Sequence, residues 1–137
     1  MAPVGLSKDA GWEIGVSKTL PYSVPELWEF VSSAEGIAVW LGEGAVLGEP
    51  GSSYETTDGT TGEVRSKNEN DRIRVTWRPA DWSHDSTVQV ALSGSGAKTV
   101  LRFHQERLAD AEQRARQRTH WQQVMAAVIE RLSDGGE

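Results

Sequence analysis

Three histidines carry the chain's most accessible acid–base chemistry, because imidazole alone among unperturbed side chains changes charge close to neutral pH. His84 stands beside Asp85, a pairing that suits a catalytic dyad and equally a solvated pair in a loop. His104 alternates with the outward-facing set of a strand. His120 directly precedes Trp121, where a helical stretch turns from polar to apolar, so it belongs near the mouth of any pocket. There it could donate to a ligand or serve as a general base.

Other chemistries lack their parts. A metal needs three or four converging ligands; the chain has no cysteine and no metal-ligand spacing of histidines and carboxylates, so neither a metal nor a cofactor is expected. His104-Gln105-Glu106 matches part of a zinc deaminase signature whose cysteine pair is missing. The run Gly94-Ser95-Gly96-Ala97-Lys98-Thr99 looks like a phosphate loop, but Ala97 separates glycine from lysine and a strand follows where a helix is needed. No G-x-S-x-G elbow is present to support a hydrolase nucleophile. Arg72, Arg74 and Arg78 share the outer face of one strand, and Arg114, Arg116 and Arg118 alternate along a helix start, both reading as solvated surface. Arg114 and Arg118, four apart, also fall on the face that leads to Trp121, where they could hold the acid group of an amphipathic ligand.

Composition narrows the partners. The chain of 137 residues is the size of one domain, with 37% hydrophobic and 25% charged residues. Its formal charge of -6 repels phosphate backbones and anionic lipid, so neither nucleic acid nor a membrane is an expected partner. Residues 1–9 lack the basic and apolar regions of a signal peptide, and no apolar run approaches the length of about 18 residues that suggests a membrane span. Cytoplasm is the expected location. Six tryptophans stand against two phenylalanines and two tyrosines, and large rigid aromatics serve both cores and ligand pockets.

The elements that must position these residues are legible from periodicity. Trp12, Ile14, Val16 and Leu20 alternate as one face of a strand. Ser23 with Glu26 forms a capping-box pattern ahead of Leu27, Trp28, Phe30 and Val31, and a second short helix starts at Ser33 and stops at Gly42. Short strands are expected at 45–47 and 54–56, then at 62–66 and 72–78, the last with Ile73, Val75 and Trp77 on one face. Val88, Val90 and Leu92 make a strand whose partner, 99–106, returns across a turn at 93–98. Asp110 and Gln113 cap a long helix to Leu132, apolar in its second half and almost wholly polar over 112–120.

In order, these elements resemble the START-like, or SRPBCC, superfamily, and within it the family named for the activator of the heat-shock protein 90 ATPase. The resemblance is carried by LPYSVPELWEFVSSAEGIAVWLG, with Pro25, Trp28 and Trp40; by TGEVRSKNENDRIRVTW, with Gly62, Glu63, Arg72 and Trp77; and by HWQQVMAAVIERL. Members commonly have Gly-Trp where this chain has His120-Trp121, and those that gave the family its name carry a second domain for which 137 residues leave no room.

The resemblance implies an α+β helix-grip fold: a curved antiparallel sheet of about seven strands, two short helices and a long C-terminal helix. One domain then spans 12–132, with flexible ends at 1–11 and 133–137. Such a fold implies a cavity of about 300–1,000 Å³ between sheet and helix. Trp40, Trp77, Leu101, Phe103, Trp121, Met125 and Val128 would line it, with Arg114 and Arg118 at its entrance, although the apolar set fits a plain core equally well. The implied function is binding or carriage of a small hydrophobic or amphipathic ligand by a monomer or homodimer. One alternative is a polyketide cyclase-like enzyme using His120 and Glu63; another is a co-chaperone-like module with a protein partner.

Overall fold

The computed structural model describes residues 6–7 and 11–135. Its elements are β1 (Leu6–Ser7), β2 (Gly11–Leu20), α1 (Val24–Val31), α2 (Ala34–Trp40), β3 (Ser53–Glu55), β4 (Thr61–Asn68), β5 (Arg72–Trp77), β6 (Ser86–Ser95), β7 (Lys98–Leu108) and α3 (Ala111–Gly135). The ends expected to be flexible lie partly outside the described residues; within them, Leu6–Ser7 pairs with β2. No described helix is long and apolar enough to cross a membrane.

The described strands form one seven-stranded sheet in the order β1-β2-β7-β6-β5-β4-β3. Strands β3 to β7 follow one another as an antiparallel meander, and β2 closes on β7, its distant partner along the chain. The helix-grip expectation holds: α1 and α2 fill the crossover from β2 to β3, and α3 lies along the buried face. Alternation explains that face. Ile73, Val75 and Trp77 of β5, Val88, Val90 and Leu92 of β6, and Leu101 and Phe103 of β7 are all buried. Each such side chain contributes roughly 1.5–3 kcal/mol by leaving water.

The caps read from sequence are formed. Ser23 Oγ accepts from the Glu26 amide at 3.3 Å while the Ser23 amide donates to Glu26 Oε1 at 3.0 Å, and Ser33 Oγ accepts from Gly36 at 3.0 Å. On α3, Asp110 Oδ1 accepts from the Gln113 amide at 2.7 Å, and the Ala109 amide donates to Gln113 Oε1 at 2.8 Å.

Three expectations change. Residues 45–47 form no strand: Ala45 and Leu47 insert into the core as alternating residues would, but Ser53–Glu55 takes the place beside β4. The β6–β7 turn is only Gly96 and Ala97, since Ser95 already pairs with Lys98, and Gly96 supplies the positive φ of 66°. The polar half of α3 is not wholly solvated, because Gln113 and Gln117 are buried.

One glycine fixes how α1 meets α2. A Cβ on Gly36 would stand 1.8 Å from the Phe30 carbonyl oxygen, so the helices close only over a bare backbone. Gly36→Ala is expected to cost about 3 kcal/mol, the upper part of the range for overpacking, read as a lowered urea midpoint. A melt indistinguishable from the parent would show that the helices part without penalty.

Candidate functional site

The residues able to do chemistry gather where β5 ends, β6 begins and α3 crosses β7. Gln105 is fully buried in the inward phase of β7. Its Oε1 accepts from Gln117 Nε2 and from Trp121 Nε1, each at 2.9 Å, and its Nε2 donates to Ser86 Oγ at 2.9 Å. An indole N–H can only donate, so the oxygen of Gln105 must be the atom facing Trp121. Ser86 donates onward to the Trp77 carbonyl oxygen at 2.7 Å. A hydrogen-bond chain thus links the end of β5 through β6 and β7 to α3.

Aromatic rings stand outward of this chain. Trp121 stacks on Phe103, with centroids 5.1 Å apart, and meets His120 edge-on at 4.8 Å. His120 lies 6.0 Å from Trp77, which packs edge to face against Trp82 at 5.2 Å. Trp82 in turn stacks on His84 at 5.0 Å. His120 is half-buried, and burial lowers its pKa, so its imidazole is neutral at neutral pH. Its ring nitrogens make no hydrogen bond to the described residues. His84 keeps a buried Nε2 with no partner among the described residues, beside a depression of about 390 Å³ bordered by residues 81–84, Gln113 and Arg116.

The structure brings together Trp77, Phe103, Trp121 and His120 from the residues singled out in the sequence. Leu101, Phe103 and Val128 present no surface that a water-sized sphere can reach, from outside or from an internal void, and Trp40, Trp121 and Met125 present little. Trp40 is anchored elsewhere, its indole donating to the Val31 carbonyl at 2.9 Å. Arg114 is committed to β2. The β2–β7 register shifts by one residue between Trp12 and Ile14, with residues 106 and 107 opposite Glu13, and Arg114 Nε donates to the Glu13 carbonyl at 2.7 Å. Arg118 is exposed. Glu63 does not join His120: flanking the buried Val64, it lies on the outer face, 3.1 Å from Arg65. His104 also faces outward, 3.0 Å from Glu13. Among the described residues no group of three His, Cys, Asp or Glu side chains is arranged to hold a metal.

Sequence reasoning missed Gln105, Gln117, Ser86 and Trp82, and read Gln113 only as a cap residue. The signal for the glutamines was present: 113, 117 and 121 are spaced by four, and 105 continues the inward phase of 101 and 103.

Residues 21–133 match the family model for Activator of Hsp90 ATPase homolog 1-like protein. The chain belongs to that family. No curated protein matches the sequence. Among solved structures the chain is similar to DynU16, a protein in the dynemicin biosynthetic locus, at 22% identity and TM-score 0.78, covering 90% of this chain and 48% of that one. It is similar to CalU16 from Micromonospora echinospora at 18% and 0.76, covering 86% and 74%. It is also similar to PFC0360w, an HSP90 activator from Plasmodium falciparum, at 18% and 0.73, covering 89% and 96%. The chain therefore spans about half the length of DynU16. At these identities the likeness establishes the fold, and this family member's own residues must define its site.

Two outcomes follow from the geometry. Gln105→Leu strands the buried donors of Gln117 and Trp121 and is expected to cost about 2–4 kcal/mol in urea unfolding; a loss below about 1 kcal/mol would mean the network relaxes freely. The second outcome concerns acid. Because the folded pKa of His120 lies below its ordinary 6.5, the unfolded chain takes up that proton first, and stability falls as pH drops through 6.5 toward the folded value. His120→Phe should lose less stability than the parent between about pH 7 and 5, and parallel pH profiles would refute the assignment.

Proposed function

We propose that this family member binds a small uncharged molecule, aromatic or amphipathic, at the mouth formed by Trp77, Trp82 and His120. The observation that carries the reading is His120, neutral through desolvation, flanked by Trp77 and Trp121, and without a hydrogen bond to any described residue. A ring laid against tryptophan gains apolar burial and face contacts, and one hydrogen bond to a neutral imidazole fixes its orientation. The deeper Leu101, Phe103 and Val128 are packed, so the ligand is held at the rim rather than between helix and sheet. Arg114 is engaged by Glu13 and Arg118 is exposed, which favours a hydroxyl or carbonyl over an acid as the polar partner.

A catalytic role for the same histidine has one observation in its favour, since a neutral imidazole is the form a general base requires. The likeness to a protein of a biosynthetic locus is consistent with it. Glu63 is on the far face of the sheet, however, and a lone base supports binding better than turnover.

Tryptophan fluorescence tests the reading directly. Titration with neutral phenols and polycyclic aromatic ketones is expected to quench emission, and the matching carboxylates should bind more weakly. His120→Phe should keep the fold and weaken the neutral compounds about tenfold, equivalent to about 1.4 kcal/mol. A flat signal across the panel, or undiminished affinity in the variant, would remove the proposal.

A further inference from the structure

The far end of α3 carries a second surface, roughly 18 Å along the helix from His120 at a rise of about 1.5 Å per residue. A groove of about 350 Å³ runs there between α1 and α3. Its floor is apolar, with Tyr22, Phe30 and Leu132 half-buried and Tyr22, Phe30 and Leu132 all resting on the core. Its rim is acidic. Glu26, Glu29 and Glu35 line it, and Arg131 is the one cation among the lining residues, 3.8 Å from Glu35. Three carboxylates against one guanidinium leave a local balance of two negative charges, and the chain's net charge of -6 adds a field of the same sign. Glu26 is occupied by the Ser23 amide in the α1 cap, whereas Glu29 makes no ion pair among the described residues.

We infer that this groove docks a basic amphipathic segment of a partner protein. Its apolar side chains would lie on Phe30 and Leu132, and its lysines or arginines would meet Glu29 and Glu35. An apolar floor supplies most of the affinity in such an arrangement, and the charged rim supplies orientation, association rate and discrimination. Anionic membranes and nucleic acid are repelled by the same rim. A second copy of this chain brings the same net charge and is disfavoured for the same reason.

The full chain is titrated with a synthetic amphipathic helix of leucine and lysine, and with a leucine–glutamate helix of equal length. The lysine helix is expected to bind and the glutamate helix not. Glu29→Lys combined with Glu35→Lys, and separately Phe30→Ser, should each weaken binding about tenfold or more, or about 1.4 kcal/mol, with thermal melts reporting that each variant folds. The charge reversal lies on the surface and keeps the test valid if Phe30→Ser unfolds. His120→Phe should leave the peptide titration unchanged, which separates this site from the mouth. Equal binding of the two helices, or affinity that survives the charge reversal, would overturn the inference. So would a folded Phe30→Ser variant that binds normally, since net charge alone would then hold the peptide. A homodimer that dissociates on the charge reversal would make a second copy the occupant and would likewise overturn it.

Discussion

A carboxamide enclosed by hydrocarbon must find its partners inside the protein, and this requirement at Gln105 governs how α3 lies on the sheet. Its partners come from β6 through Ser86 and from α3 through Gln117 and Trp121, so neither strand nor helix can shift without leaving a donor unpaired. Each buried donor left alone would cost about 1–3 kcal/mol, more than one methylene of hydrophobic contact recovers. Hydrophobic burial presses helix and sheet together without direction; the amide fixes the register. With that register set, Trp121 stacks on Phe103 and His120 is brought beside Trp77.

Packing leaves a close-packed interior and a chemically open rim. Inside, the tightly packed Leu101, Phe103 and Val128 leave no water-sized space. At the rim, imidazole and indole groups meet the surface, and His84 and His120 hold ring nitrogens that no described residue satisfies. Several charged groups are paired away from the rim. Arg74 pairs with Glu106 and His104 with Glu13 on the outer face, and Arg114 is tied to the β2 backbone opposite the bulge in β7. The opposite end of α3 carries an apolar floor under carboxylates.

How much of this was legible beforehand depends on the kind of signal. The strands of 72–77 and 86–95 follow from two-residue alternation, and α1 and α3 from caps whose side chains and backbone partners are three residues apart. Such signals are local, and local geometry realises them. Residues 45–47 were read as a strand from their apolar run yet formed none, because Ser53–Glu55 takes the edge beside β4. The buried glutamines were hidden for another reason: residue type argued for solvent, and only a satisfied hydrogen bond makes a glutamine a core residue. His120 was located from sequence at the polar-to-apolar transition, but its isolation from protein partners was not.

By itself, then, the amino-acid sequence determined the element order, the family, the absence of thiol chemistry and the acidic field, since these depend on residue type, periodicity and count. The tertiary structure alone decided which aromatics are packed and which stand at a rim, that Glu63 and His120 lie on opposite faces of the sheet, and that Arg114 serves a strand. Those outcomes rest on strand phase, a one-residue bulge and the pairing of an amide across three elements. They are relations between residues far apart in the chain, which no local pattern encodes.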